Sequence, residues 1–544
     1  MTDAIALDRI PIIVGVTGHR DVAESDEAPL RAAFAGVLNE LAKSHPKTTL
    51  VVLSGLAAGA DIVAAEEAAA LGVPVIATLP MPVETYEADF SDDERARFRS
   101  MLSRCSRVTI VSNPTDRKGG YVATGLFLVH YSHVLVAFWD GLPGRGEGGT
   151  AEVVHTRMTG ETAQLEGVAD IPYLPDVGPV YQIVTPRSGG PRPVDVFSLK
   201  KHYPDRFAGD DSSAQDFNAA LAHLDVYNAD LIQRSTPPGA AGEPTLGSLR
   251  ERTDEAANGL QKQTNFFLVL LYIFLFLGAA AQIATHNLAF KLCAIVVTLL
   301  LYFVARRNDY ENRYQDYRSL AEGLRVQEAW YCAGLTRKLV DLCYLRMQQS
   351  ELQWIRMALR CAYLLFCEDA EYAEACPTHA TCREWIDGQW SFYNTKRVDQ
   401  ARRQHIVTTI SNLTLAAGIA IFAIASGASL VNARWPFIPP HSWLVDPNSP
   451  FALAQFLTVP LPLAALVGTL LWQYSEKRSY ASNARRYQRM FIVFDRARRK
   501  LQAIGDDHTD KALAVIDDLG QEALIEHGDW LLSRRDRPLS LAHA

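Results

Sequence analysis

Three short stretches in the first third of the chain combine glycine with small and polar residues in a way suited to holding an anion. They are Gly15-Val16-Thr17-Gly18-His19-Arg20, Ser54-Gly55-Leu56-Ala57-Ala58-Gly59-Ala60-Asp61 and Gly148-Gly149-Thr150-Ala151-Glu152. Each follows a strand-like run and stands at or before a helix-like one. Glycine lets the backbone come close to a ligand, and the free N–H groups of a helix start face an anion with the helix dipole behind them. Three such turns at one edge of a sheet point to a phosphate-bearing ligand. His19, beside the first turn, is the histidine best placed for ligand contact.

Other groupings carry less chemistry. His19, His130, His133 and His155 share no metal-ligand spacing. Cys376-x-x-His379-x-x-Cys382 offers three ligands without a nearby fourth, and none of the eight cysteines forms a CxxC pair. Reduced thiols and no metal are therefore expected. Acid–base catalysis needs two placed groups. Glu152 stands as a lone candidate, so no catalytic set is assigned.

The elements that must position these turns read clearly. Apolar strand-like runs at Ile12–Thr17, Leu50–Gly55, Val73–Leu79, Arg107–Val111, His133–Trp139 and Val180–Thr185 alternate with helical stretches such as Ala28–Lys43 and Ala58–Leu71. Uninterrupted β-branched strands separated by helices suit a parallel sheet covered on both faces. The expected fold class is α/β, a Rossmann-like doubly wound parallel sheet, in which ligands bind beyond the carboxyl ends of the strands. Residues 186–215 read as a Pro/Gly-rich insertion and Ala214–Gln233 as a helix. STPPGAAGEPTLG (Ser235–Gly247) marks the boundary with the second half of the chain.

Beyond that boundary an all-α membrane domain is expected. Phe266–Ala284, Ile406–Val431 and Phe451–Tyr474 carry no charge, and Leu288–Ala305 carries only Lys291. At 1.5 Å per residue each approaches or exceeds a hydrocarbon layer of about 30 Å, giving four transmembrane helices in two hairpins. Lys262, Arg306, Arg307, Lys396, Arg397, Arg402, Arg403, Lys477 and Arg478 flank one side of this set, whereas the other side has only Lys291 and Arg434. By the positive-inside rule both termini and the 307–404 segment are cytoplasmic. Thr408, Thr409, Ser411 and Asn412 are the pore-lining candidates, because the spans hold no deep ionisable residue. Each hairpin is entered by a Gln-bearing polar helix and left by a Tyr/Arg-rich one, which points to an internal duplication.

The bulk numbers hide this division. The 544 residues are 48% apolar and 21% charged, with a net charge of −8 and a mean hydropathy of −0.02. These values exclude wholesale disorder and a small disulfide scaffold. MTDAIALDRI lacks a basic-then-apolar leader, so no cleaved signal is expected. The basic run Lys477–Lys500 suits anionic lipid better than nucleic acid, and no nucleic-acid partner is expected.

The pattern VGVTGHRD, SGLAAGADIVAAEEAAALGVPVIATLP, LVAFWDG and GGTAEVV resembles the SLOG superfamily, the Rossmann-like fold shared by Smf/DprA and LOG proteins. SGLAAGAD is similar to the Smf/DprA turn and GGTAEV to the LOG turn, and the resemblance covers about residues 10–185. It implies a nucleotide site lined by Gly18, Ser54, Gly55, Gly59, Asp61, Gly148, Gly149 and Thr150, with Arg20, Tyr121, Trp139 and Asp140 around the base or ribose. The second half resembles SLATT domains, two-transmembrane modules, through its helix–hairpin–helix order and the Ala321-Glu322-Gly323-Leu324-Arg325 exit.

Together these resemblances imply a sensor of a nucleotide-derived second messenger whose membrane part forms pores or disrupts the bilayer in anti-phage defence. Its place would be the bacterial inner membrane, and its form a homo-oligomer with no cofactor beyond the ligand. Two alternatives are a membrane-tethered LOG-like nucleotide hydrolase and a non-catalytic scaffold. The LOG enzymes' RKxxM motif is absent, and Glu152 lies one residue closer to Thr150 than the LOG glutamate would. The implied domains are 1–234 (SLOG-like), 235–248 (linker), 249–340 (first SLATT-like unit), 341–384 (cytosolic connector) and 385–544 (second SLATT-like unit with C-terminal helices).

Overall fold

A computed structural model describes residues 5, 8–111, 117–144, 148–161, 177–188, 190, 192–204, 212–234, 244–284, 288–336, 338–345, 352–367, 380–434, 460–504 and 509–535. Its compact units are two. The first comprises 1–256, 316–381 and 520–528, and the second comprises 257–315, 382–519 and 529–544.

The first unit is built on seven strands: β1 Ile12–Gly18, β2 Leu50–Ser54, β3 Val75–Leu79, β4 Arg107–Ile110, β5 Val134–Trp139, β6 Val180–Val184 and β7 Leu199–His202. Their order is β4-β3-β2-β1-β5-β6-β7. All neighbours pair parallel except β6 with β7, which is antiparallel. β2, β3 and β6 are buried along their whole length, as uninterrupted apolar strands must be when helices cover both faces. β7 lies in the stretch expected as an insertion. Its sequence LKKH, largely exposed, suits an edge strand whose lysines discourage further pairing.

The helices of this sheet are α1 Glu24–Ser44, α2 Ala60–Ala70, α3 Val83–Tyr86, α4 Asp92–Leu102, α5 Arg117–Tyr131 and α6 Thr150–Thr159, followed by α7 Ser212–Arg234. The winding reverses at β1, with β2–β4 on one side and β5–β7 on the other. The loops leaving β1 and β5 therefore diverge and open a crevice at their carboxyl ends.

The opposite, amino edge is closed by a helix from much later in the chain, Gln353–Phe366. Arg360 donates to His130 O at 2.9 Å, Arg107 to Leu364 O at 2.6 Å, and Cys361 Sγ lies 3.7 Å from Pro11 O. His133 accepts from Ile13 N at 2.8 Å through Nδ1 and meets Met357 O at 3.5 Å through Nε2. Its burial lowers its pKa to about 3, so the ring stays neutral and acts as a spacer.

In chain order the helices after α7 are α8 Leu246–Ala284, α9 Leu288–Arg307, α10 Tyr310–Cys332, α11 Gln353–Phe366, α12 Ala380–Arg434, α13 Pro460–Arg478, α14 Tyr480–Ile504 and α15 Thr509–Arg535. Among the described residues three stretches are long and apolar enough to cross a membrane, within Leu246–Gln282, Leu288–Cys332 and Arg383–Ile424. The described residues thus hold three candidate spans, the mark of a membrane protein, where four spans were expected. The fourth expected segment, Phe451–Tyr474, is described only from residue 460. From there α13 soon reaches Glu476, Lys477 and Arg478, so its described part alone is too short an uncharged helix. Large apolar side chains such as Phe266, Leu288, Leu413 and Ile424 stand 60–73% exposed, a surface suited to lipid rather than water.

Within the second unit the helices approach through small residues. A Cβ at Gly278 would lie 3.5 Å from Ala294 Cβ, and one at Gly468 only 2.9 Å from Leu415 Cγ. Small residues at a contact let helix backbones come close where water supplies no driving force. The ends of α9 and α13 match. Each closes on a basic pair, Arg306-Arg307 or Lys477-Arg478. Each then passes a left-handed residue, Asp309 (φ 47) or Ser479 (φ 52), and restarts on a tyrosine, Tyr310 or Tyr480. Arg534 donates to the carbonyls of Lys477 and Arg478 at 3.3 Å each, satisfying the last turn of α13.

Candidate functional site

A cavity of about 360 Å³ opens at the carboxyl edge of the sheet. It falls at the small end of the ligand-pocket range of about 300–1,000 Å³. The end of β1 supplies Thr17, Gly18, His19, Arg20 and Asp21. The β2–α2 turn supplies Gly55, Ala57 and Asp61, and the start of α6 supplies Gly148, Gly149, Thr150 and Ala151. All three glycine turns named from the sequence meet here.

The turns differ in what their glycines do. Gly59 has φ 83, and a Cβ there would lie 2.4 Å from Arg20 O and 2.5 Å from His19 O. Gly18 is equally enclosed, 2.5 Å from Ala60 Cβ and 2.8 Å from Phe138 Cβ. These two allow one chain segment to cross another. Ala60 N then donates to His19 O at 3.0 Å, so the first N–H of α2 is taken by the protein itself. Ser54 belongs to the same closure: its Oγ accepts from Leu56 N at 3.2 Å and donates to Asp61 O at 3.3 Å.

The α6 turn stays open. Gly148 has φ 72, and Gly149 is the N-cap residue with no side chain to cap the helix. Glu152 N and Val153 N bond back to Gly149 O, while Gly149, Thr150 and Ala151 line the cavity. Glu152 does not reach the cavity lining. Its carboxylate accepts from Gly148 N and so holds the loop that precedes its own helix.

On one wall sits a buried ionic group. Asp140 accepts from Arg187 Nε at 2.8 Å, and its own N–H donates to His19 Nε2 at 3.1 Å. Accepting that hydrogen bond requires an unprotonated Nε2. Burial first and Arg187 second hold His19 below the ordinary histidine range, against the pull of Asp140. Arg187 lines the cavity; Asp140 supports it from behind. Trp139 points away, donating to Leu142 O at 2.8 Å and packing on the core around Val153 and Val180.

Another part of the lining is aromatic. Arg20 lies 4.8 Å over the Tyr121 ring, a cation–π contact, and Tyr121 OH donates to Asp89. Tyr86, buried against Phe90 and Phe98, donates to Gly55 O at 3.2 Å, and burial pushes its phenol pKa up. The capping box of Ser91 and Glu94 starts α4 and so fixes Phe98 behind Tyr86.

Of the residues named from the sequence, Gly18, His19, Arg20, Gly55, Asp61, Tyr121, Gly148, Gly149 and Thr150 line the cavity, and Ser54, Gly59, Trp139, Asp140 and Glu152 do not. Arg187, Tyr86 and Thr124 line it without having been named. Arg187 stands just past the carboxyl end of β6, and that position in an open α/β sheet was the signal available. Of the pore candidates, Thr408, Thr409 and Asn412 are exposed. Ser411 is buried and donates to Gly468 O at 2.8 Å. Cys376 and His379 lie outside the described residues. Among the described residues no group of His, Cys, Asp and Glu could hold a metal.

Fold and cavity define a class: a parallel-dominated open α/β domain with a ligand-sized cavity where its winding reverses, in one chain with helices able to cross a membrane. Compared with known proteins, no family model matches the chain and no curated protein is similar to it.

Proposed function

We propose that this chain is a membrane-anchored sensor-effector that binds a nucleotide-derived second messenger and answers by pore formation or membrane disruption, in defence against phage. The observation that carries the reading is the cavity at the winding reversal, where the uncapped start of α6, Arg20 and Arg187 line one mononucleotide-sized space. Helix-start N–H groups and guanidinium groups are the common partners of phosphate. The resemblance of the glycine turns to SLOG domains and of the hairpins to SLATT domains supports the same reading. So does the presence of apolar spans in the same chain.

In this reading the chain sits in the bacterial inner membrane with its termini inside, works as a homo-oligomer, and takes no cofactor besides the messenger. The messenger must bind the active arrangement of the membrane helices better than the resting one, because equal affinity for both would move nothing. A hydrolase reading would have to recruit Asp61, since Glu152 is held by Gly148 N.

Full-length protein in liposomes, titrated with AMP, ADP-ribose and 3′,5′-cyclic AMP, tests the proposal. At least one should bind and release an entrapped dye. Absence of binding by all three would sink the ligand reading, and turnover of a bound nucleotide would favour the enzyme. Gly149→Asp, which puts an anion at the start of α6, should abolish binding and leakage together. Leakage persisting in that variant would refute coupling through this cavity.

A further inference from the structure

One carboxylate at the cavity is only half satisfied, with the backbone of Ala57 and Gly18 bonding to it and one oxygen left over. Asp61 is 6% exposed, lines the cavity, and its Oδ1 has no hydrogen-bond partner among the described residues. An acidic residue in the first turn of a helix is ordinary, since the dipole favours it. That accounts for an aspartate at this position but not for a buried carboxylate oxygen without a partner on a residue that lines a cavity. Such an orphan costs folding free energy, and ligand sites are where such costs are retained. Burial pushes the carboxyl up to about 7, while Arg20 and the backbone of Ala57 and Gly18 pull the other way. Asp61 Oδ2 and Thr124 each lie next to Gly55, whereas Tyr121 and Val122 lie next to Gly148 at the open helix start.

Building on the nucleotide reading, we infer that Asp61 is a specificity-determining acceptor for a hydrogen-bond donor of the ligand, a ribose hydroxyl or the amino group of the base. The cavity is then two-ended. An anion is held at α6 by N–H groups and guanidinium groups, and a donor is read at α2 by a carboxylate. Free phosphate satisfies one end only, and a phosphate-free nucleoside satisfies only the other.

The test uses the full chain in detergent with AMP, ADP-ribose and cyclic AMP, and with the 2′-deoxy and inosine counterparts of whichever binds. Asp61→Asn, close in shape, should weaken the parent ligand ten-fold or more. Either the 2′-deoxy or the inosine form should lose a similar factor on the wild-type chain, identifying hydroxyl or amine, and lose nothing further on D61N. Near pH 7 the wild-type chain should release a proton on binding, seen as a heat that depends on the buffer, and D61N should not. A merely structural aspartate would weaken parent and counterparts alike, and that outcome overturns the inference. So does full affinity in D61N, which leaves the nucleotide reading standing. If none of the three parents binds the wild-type chain, the nucleotide reading itself falls, and this inference with it.

Discussion

The chain enters α2 through Gly59-Ala60-Asp61 and α6 through Gly148-Gly149-Thr150, two turns at the same edge of one sheet. In the first, the glycine lets the chain cross Arg20 and His19 at distances no side chain could share, and the helix's first N–H bonds to His19 O. In the second, the N-cap glycine leaves the helix start uncapped and facing the cavity. Equivalent glycine patterns therefore do opposite work. One closes the protein on itself and buries an acid; the other leaves donors for something else. The comparison assigns polarity to the cavity, which a count of glycines could not.

The largest expected effect breaks the closed turn. Gly59→Val places a Cβ 2.4 Å from a backbone oxygen at φ 83, and backbone cannot yield as a flexible side chain does. A loss of more than about 3 kcal/mol is expected, visible as failure to recover folded protein. Normal thermal unfolding of this variant would show that the crossing has room for a side chain. Next comes Arg187→Ala. It strands Asp140, whose side chain is only 4% exposed, and removing one partner of a buried pair costs about 3 kcal/mol or more. The His19 pKa should also rise, because Arg187 is one of the groups lowering it. A ring titration followed by NMR checks this.

Asp61 gives a smaller, pH-dependent effect. Its carboxyl is raised from 3.8 to about 7 in the folded chain, so the folded state holds a proton that the unfolded state has released. Stability from this group is therefore fully present below about pH 4 and is lost as pH climbs to about 7. Asp61→Asn stays neutral throughout. It should melt higher than the wild-type chain at pH 8, with the gap closing toward pH 4. A gap that does not change with pH would mean that the carboxyl is not desolvated.

Much of this geometry was legible in the chain and some was not, for physical reasons. Buried parallel strands announce themselves because both faces must be apolar, so β1, β2, β3, β5 and β6 stand where their hydrophobic runs stand. β7 was hidden, since an exposed edge strand built from LKKH has no apolar signature to read. Glycine turns told where a ligand edge lies, but whether a glycine serves ligand or chain depends on which segment crosses it, and that is long-range information. Trp139 and Asp140 look like ligand contacts in a strand-end motif, yet one packs on the core and the other holds Arg187. Arg187 itself was masked by the Pro/Gly-rich stretch around it. The docking of α11 on the amino edge depends on side chains reaching single carbonyls, such as Arg360 to His130 O, and no periodicity encodes such contacts.

The open turn yields the smallest change in stability and the sharpest in function. Gly149 is the N-cap of α6 with φ −81 and ψ 170, extended backbone open to any residue, so no strain accompanies a side chain there. Aspartate is among the best N-cap residues and is better than glycine by only a few tenths of a kcal/mol. Gly149→Asp should therefore leave the melting temperature unchanged or slightly raised. Its carboxylate would bond the same N–H groups that a phosphate would use, and would repel a second anion. Thermal unfolding and nucleotide titration on the same preparation then separate the two turns: at Gly59 binding is lost with the fold, and at Gly149 without it. A Gly149→Asp chain that melts normally and still binds AMP, ADP-ribose or cyclic AMP as tightly as the wild type would place the anion elsewhere in the cavity.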